Sequence, residues 1–177
     1  MKFIIKGKCW CYGENIDTDA IAPMGSYQGE NLTAGAKNCL RDVDPTFAKN
    51  VQDGDIFVAT KNLGIGSSRE AAPLFLKTLG IRLVLASSFA RIFFRNCYNV
   101  GLPALICQNA GSINMGDELC ANLKTFDVSN LTQETSLSAQ PIPEHLFEMV
   151  VAGGLLPHLK KKLQHSKSHF DDGNGSL

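Results

Sequence analysis

The sequence predicts an α/β domain, and three observations predict it. Short β-branched runs and helix-patterned runs follow one another as strand, loop, helix, strand, helix, strand, with β-rich flanks at both ends. Glycines stand where helices have to stop, at Gly80, Gly101 and Gly153-Gly154. The chain of 177 residues contains no internal repeat and no linker-like stretch, which is the length of a single core. Residues 1–165 therefore read as one domain, and the small polar segment 166–177, "SKSHFDDGNGSL", as a fraying tail.

Each element has its own signal. "FIIKGKCW" at 3–10 alternates and is β-branched enough for a strand. A long loop follows, rich in Gly, Asn, Asp and Ser around Pro23, and long ordered loops in compact domains are usually functional. After the Asp53-Gly54 turn, "DIFVAT" is a short apolar strand. The loop "NLGIGSSRE" then leads into a helix that Pro73 opens and Gly80 closes. "IRLVLASS" is a buried strand, and "SFARIFFRNCYNVG" an amphipathic helix with Ser88 as N-cap and Gly101 as terminator. "LPALIC" is a strand, and 116–137 reads as strands joined by turns. "PIPEHLFEMVVAGGLLPHLKKKLQ" is helical, interrupted at the glycine pair and restarted near Pro157.

Bulk properties exclude several classes of function. Lys plus Arg equals Asp plus Glu, 17 against 17, so no global field invites nucleic acid or an acidic membrane. The one basic run, "LKKKL" at 159–163, reads as a solvated helix face. The N-terminal apolar run is broken by Lys6 and Lys8, too short and too charged for a signal peptide or a membrane span, which points to a cytoplasmic protein. The six cysteines form no C-x-x-C pair and read as buried free thiols in a reducing compartment. The four histidines make no zinc-binding pattern, so no metal site is expected on this chain.

The chemistry concentrates in two loops. Ser67-x-x-Glu70 matches a helix capping box, yet a helix running through from Ser67 would need an N–H at Pro73 for the Arg69 carbonyl, and proline has none. Starting the helix at Pro73 leaves Gly64–Arg69 as a turn with unpaired amides beside a helix N-terminus, which is an anion pocket. Arg69 adds a two-pronged donor suited to a carboxylate, and the Gly-Lys-Ser/Thr of a phosphate loop is missing. A serine among such amides can serve as a general base without a histidine, because aligned donors favour its alkoxide. The second focus is "NIDTDAIAP" at 15–23. Asp17 and Asp19 either fold back on their own backbone as turn residues or orient a substrate or an arginine. Arg91 and Arg95, four apart, share one face of the later helix.

Taken together, "NIDTDAI", "GDIFVATKNLGIGSSREAAP", "ASSFARIFFRNCYNVGLPAL" and "AGGLLPHLKKKL" resemble the small subunits of 3-isopropylmalate dehydratase, the swivelling domain of the aconitase superfamily. The match runs in order from about residue 3 to residue 165. The resemblance implies a three-layer β/β/α domain closing over a separate large subunit that carries a 4Fe-4S cluster, with none bound by this chain. It implies dehydration and rehydration of a malate-type diacid in leucine biosynthesis. By the same resemblance Ser67 is the catalytic base that takes the proton α to a carboxylate, Ser68 helps to form the pocket, Arg69 grips a substrate carboxylate, and Asp19 with Thr18 lines the site.

Two departures bear on the substrate. Relatives carry His or Gln after Arg-Glu, where this chain has Ala71, and their loop after the aspartates runs Pro-Ala-Arg-Tyr-Leu or similar. Here that specificity loop reads Pro23-Met24-Gly25-Ser26-Tyr27-Gln28-Gly29, so homoaconitate, citramalate and dimethylmalate stand beside isopropylmalate as candidate substrates. A non-catalytic, carboxylate-binding or regulatory module is the alternative from another class, and it would bind its ligand without any partner.

Overall fold

The computed structural model describes residues 3–27 and 31–171, with 165–171 described by backbone alone. Gln28 and Gly29 of the specificity loop and residues 172–177 of the predicted tail lie outside the described residues. Seven strands among them form one mixed sheet: β1 (Ile4–Tyr12), β2 (Ile56–Ala59), β3 (Leu83–Ala86), β4 (Ala104–Ile106), β5 (Glu118–Asn122), β6 (Asp127–Asn130) and β7 (Thr135–Ser138), in the order β4-β3-β2-β1-β5-β6-β7. β1 is the hinge of the sheet. Its second half pairs in parallel with β2, Cys9 opposite Ile56, and its first half pairs antiparallel with β5, Ile5 opposite Ala121.

β2 and β3 are buried along their whole length, as expected of parallel strands covered on both faces. Phe57, Ala59, Val84 and Ala86 face one core, shared with helices, while Ile56, Val58, Leu83 and Leu85 face a second core shared with Leu119, Ala121 and Val128. β6 stands four places from β3 in the sheet, a separation of about 19 Å if the sheet were flat. Val128 and Leu83 nevertheless belong to one core, so the antiparallel half bends over the parallel half. The layers are then helices, parallel strands and antiparallel strands, the β/β/α arrangement expected from the resemblance.

The helices are α1 (Thr18–Ile21), α2 (Leu32–Ala36), α3 (Phe47–Asn50), α4 (Ala71–Thr78), α5 (Arg91–Asn99), α6 (Glu144–Ala152) and α7 (Leu155–Asp171). Two of them begin differently from the sequence reading. α4 starts at Ala71, two residues before Pro73, because any position in the first turn spares proline an intrahelical bond. Glu70 makes no side-chain cap bond, so the capping box is absent. α5 is preceded by Ala90, not capped by Ser88, whose Oγ instead accepts a hydrogen bond from the Asn62 N–H at 2.9 Å. The predicted stops behave as glycines in left-handed backbone should: at Gly101 φ is +72° and its N–H reaches the Tyr98 carbonyl at 2.9 Å. α7 carries helical backbone past Ser166 to Asp171.

Candidate active site

Loops leave the C-terminal ends of β1, β2 and β3 and zip together beyond the sheet, the end at which open parallel sheets place their ligands. Asn15 N–H bonds the Lys61 carbonyl at 2.8 Å, Gly64 N–H the Ile16 carbonyl at 2.7 Å, and Thr18 N–H the Ile65 carbonyl at 2.9 Å. On the other side Leu63 exchanges bonds with the β3 loop, donating to Ser88 and accepting from Ala90. Asn15 and Asn62 both adopt left-handed backbone, at φ 59° and 56°, which asparagine tolerates better than most residues, and the Asn62 amide donates to the Asn15 amide at 3.1 Å. Gly64 has φ +80°, and a Cβ there would sit 2.1 Å from Cγ of Phe93, so α5 packs directly on this loop only because residue 64 is glycine.

This zipper brings the two polar foci of the sequence into contact. Ser67, exposed at the loop tip, donates its backbone N–H to Oγ1 of Thr18 at 3.1 Å, and the two hydroxyl oxygens lie 3.2 Å apart. Arg69 Nη1 meets Asp19 Oδ1 at 2.5 Å and also donates to the Ala22 carbonyl at 3.1 Å. Asp17 is the turn residue: its Oδ1 accepts from Ala20 N–H at 2.5 Å and caps α1. The two aspartates thus take different parts, one holding backbone and one orienting an arginine. The carbonyl of Ser68 accepts from the side chain of Asn96 at 3.2 Å, which ties the loop to α5.

Two expectations change. Thr18 was expected to line the pocket, but its side chain is 1% exposed and committed to Ser67, so it reaches a substrate only through that serine. The Gly64–Arg69 turn was expected to carry unpaired amides, and those of Gly64 and Ser67 are taken by Ile16 and Thr18. Arg91 and Arg95 are exposed and carry no ion pair among the described residues. Sequence reasoning missed Asn62, Ser88 and Asn96 as loop supports. Asn62 was the one local signal, since asparagine adopts left-handed backbone more readily than most residues; nothing local marks Asn96.

The described part of the specificity loop, Pro23 to Tyr27, lies beside Arg69. A cavity of about 220 Å³ opens there between Pro23, Met24, Tyr27, Arg69, Ala71 and Phe75. Tyr27 stands edge-on to Phe75 with ring centres 6.1 Å apart, Met24 is largely exposed, and Oγ of Ser26 is buried with no hydrogen-bond partner among the described residues. Larger hollows of about 590 and 670 Å³ contain neither Ser67 nor Arg69, so chemistry and not size marks the site. Among the described residues no group of three or more His, Cys, Asp or Glu is close enough to hold a metal. All six cysteines are free thiols. Burial pushes the thiols of Cys39, Cys97 and Cys107 up, and for Cys9 a hydrogen bond shared with Cys11 does so together with burial.

Comparison with known proteins gives a consistent set of similarities. The Aconitase C-terminal domain family matches residues 15–110. The chain is 48% identical over 168 residues to the isopropylmalate/citramalate isomerase small subunit of Methanocaldococcus jannaschii, covering 94% of this chain and 100% of that one. It is 43% identical over 164 residues to the 3-isopropylmalate dehydratase small subunit of Moorella thermoacetica, covering 92% and 99%. The crystal structure of 3-isopropylmalate dehydratase from M. jannaschii superposes with a TM-score of 0.88 at 38% identity, covering 93% of this chain and 99% of that one.

Proposed function

This chain belongs to the aconitase C-terminal domain family as a small subunit of the 3-isopropylmalate dehydratase kind, and on that premise we propose that Ser67 is the base of a hydro-lyase acting on a branched malate-type diacid. A small subunit works with a large one, and a 4Fe-4S cluster held by the large subunit would supply a Lewis acid for the leaving hydroxyl. This chain's own part is to hold the substrate and to move one proton.

The observation that carries the reading is the junction of the two loops, where Ser67 touches Thr18 while Asp19 holds Arg69. Asp19 and the Ala22 carbonyl occupy a single guanidinium nitrogen, Nη1. The rest of the planar fork is left for a substrate carboxylate, which it matches in two-pronged fashion. With the carboxylate on Arg69, the carbon α to it lies within the loop that carries Ser67. Ser68 contributes to the same turn an amide and a hydroxyl that have no partner among the described residues. The carbon substituent of the diacid then faces the hollow lined by Pro23, Met24, Tyr27 and Ala71, which is where isopropylmalate and the smaller citramalate would be told apart.

The experiment assembles this chain with its large subunit and compares Ser67→Ala with the unaltered protein. Turnover falls to background while the complex still forms; unchanged turnover in Ser67→Ala would remove the base assignment. A substrate panel of isopropylmalate, citramalate, homoaconitate and dimethylmalate then reads what the loop selects.

A further inference from the structure

The hydroxyl of Thr18 has one proton and two acceptors within reach. Its Oγ1 lies 3.2 Å from the Ser67 carbonyl and 3.2 Å from Ser67 Oγ, and it already accepts the Ser67 N–H at 3.1 Å. A hydroxyl donates once and accepts twice, so every contact is satisfied in a single arrangement. Thr18 donates to the Ser67 carbonyl, accepts from the Ser67 N–H, and accepts from the Ser67 hydroxyl. The residue is 1% exposed and sits at the first position of α1, whose N-cap is held by Asp17, so its hydroxyl has no other partner among the described residues. Gly66 closes the remaining side, since a Cβ there would stand 3.3 Å from Thr18 Oγ1.

We infer that Thr18 is a positioning residue whose hydroxyl rotates between the Ser67 carbonyl and Ser67 Oγ, donating to Oγ when the serine is deprotonated. The inference rests on Ser67 as the base. When Ser67 loses its proton to water, Oγ no longer donates to Thr18 and becomes a charged acceptor 3.2 Å away. The Thr18 proton turns to it, since a hydrogen bond to an ionised acceptor is the stronger of the two available. The carbonyl gives up a neutral bond in exchange for a charge-assisted one. As the substrate's α C–H bond breaks, its electron pair stays on the substrate, the proton forms the Ser67 O–H bond, and Thr18 turns back to the carbonyl. The charged side chains around the pair are Asp17, Asp19 and Arg69; Asp17 is engaged with the Ala20 N–H and Asp19 with Arg69, so Thr18 is the side-chain donor that reaches Ser67 Oγ among the described residues.

The test uses the assembled enzyme and three variants. Thr18→Val keeps the shape and removes the hydroxyl; kcat falls on the order of 10- to 100-fold with KM nearly unchanged, the loss expected for one hydrogen bond to a charged group. The basic shift of the pH profile that follows from a less stabilised alkoxide is read in the same assay, as is a larger isotope effect with substrate deuterated at the α carbon. Thr18→Ser keeps the hydroxyl and restores both, and Thr18→Cys, which puts a weaker S–H donor at the same place, falls between them and stands in for the valine variant should that not fold. In the isolated small subunit, amide exchange at Ser67 speeds up in Thr18→Val and not in Thr18→Ser. Turnover and pH profile of Thr18→Val equal to the unaltered enzyme overturn the inference. If Ser67→Ala is equally active, the base assignment itself fails, which is a separate result.

Discussion

Arg69 and Asp19 form the ion pair on which substrate binding turns in this account, and they are not equal partners. Arg69 is only 27% exposed in its side chain and fixed at one nitrogen, whereas Asp19 is 54% exposed. Arg69→Lys keeps the charge and loses the fork, so KM rises about 10- to 100-fold while kcat changes little, as steady-state kinetics across the diacid panel will read. Asp19→Asn leaves the guanidinium in place but less firmly held, so its effect is smaller, a KM rise of about two- to fivefold that shrinks in high salt. The sequence made Ser67, Arg69 and Asp19 legible through residue type and motif. It did not make the role of Thr18 legible, because the contact that defines it joins residues 49 apart and depends on two loops zipping together.

At the scale of elements, the site stands on close packing of α5 against the loop after β2. Gly64→Ala would drive a Cβ into Phe93 in left-handed backbone, at a cost of about 3 kcal/mol or more, measured as a lowered urea midpoint together with lost activity. Away from the site, Asp117 anchors the turn before β5 with Oδ2 accepting from Asn114 N–H at 2.8 Å, from Asn130 at 2.7 Å and from Gln133 at 2.5 Å. Burial would raise this carboxyl, but the three donors outweigh it and hold the group below its ordinary value of 3.8. A carboxyl lowered by folding adds stability above its unfolded value and loses it as the pH falls through the folded one. Urea midpoints followed downward from pH 6 therefore drop at the acid end, and Asp117→Asn flattens that drop. A residual slope remains from Asp44, where burial also works upward and is outweighed by Thr46 and Tyr12. The long helices and buried strands were readable because their period repeats. α1 and α2, of four and five residues, are too short to show a period and read as loop. The start of α5 was misplaced because Ser88 answers to Asn62 and not to its own helix.

For the whole molecule, the two cores account for the chain's thiol chemistry. Cys9, Cys39, Cys97 and Cys107 lie buried and raised, while Cys11 and Cys120 are partly exposed. A thiol reagent at neutral pH should modify no more than the latter two in the native protein and all six after denaturation, counted by mass. Under the proposed function, the exposed loop tip that carries Ser67 supplies a base, a carboxylate clamp and a side-group hollow. Under the same proposal the large subunit supplies the rest of the site. The most direct measurement is therefore anaerobic turnover of 3-isopropylmalate, followed by ultraviolet absorbance of the alkene, with this chain alone, the cluster-loaded large subunit alone, and the two combined. The account predicts activity only in the combination. Turnover by either chain alone, or an inert mixture in which the complex and its cluster are intact, would contradict it.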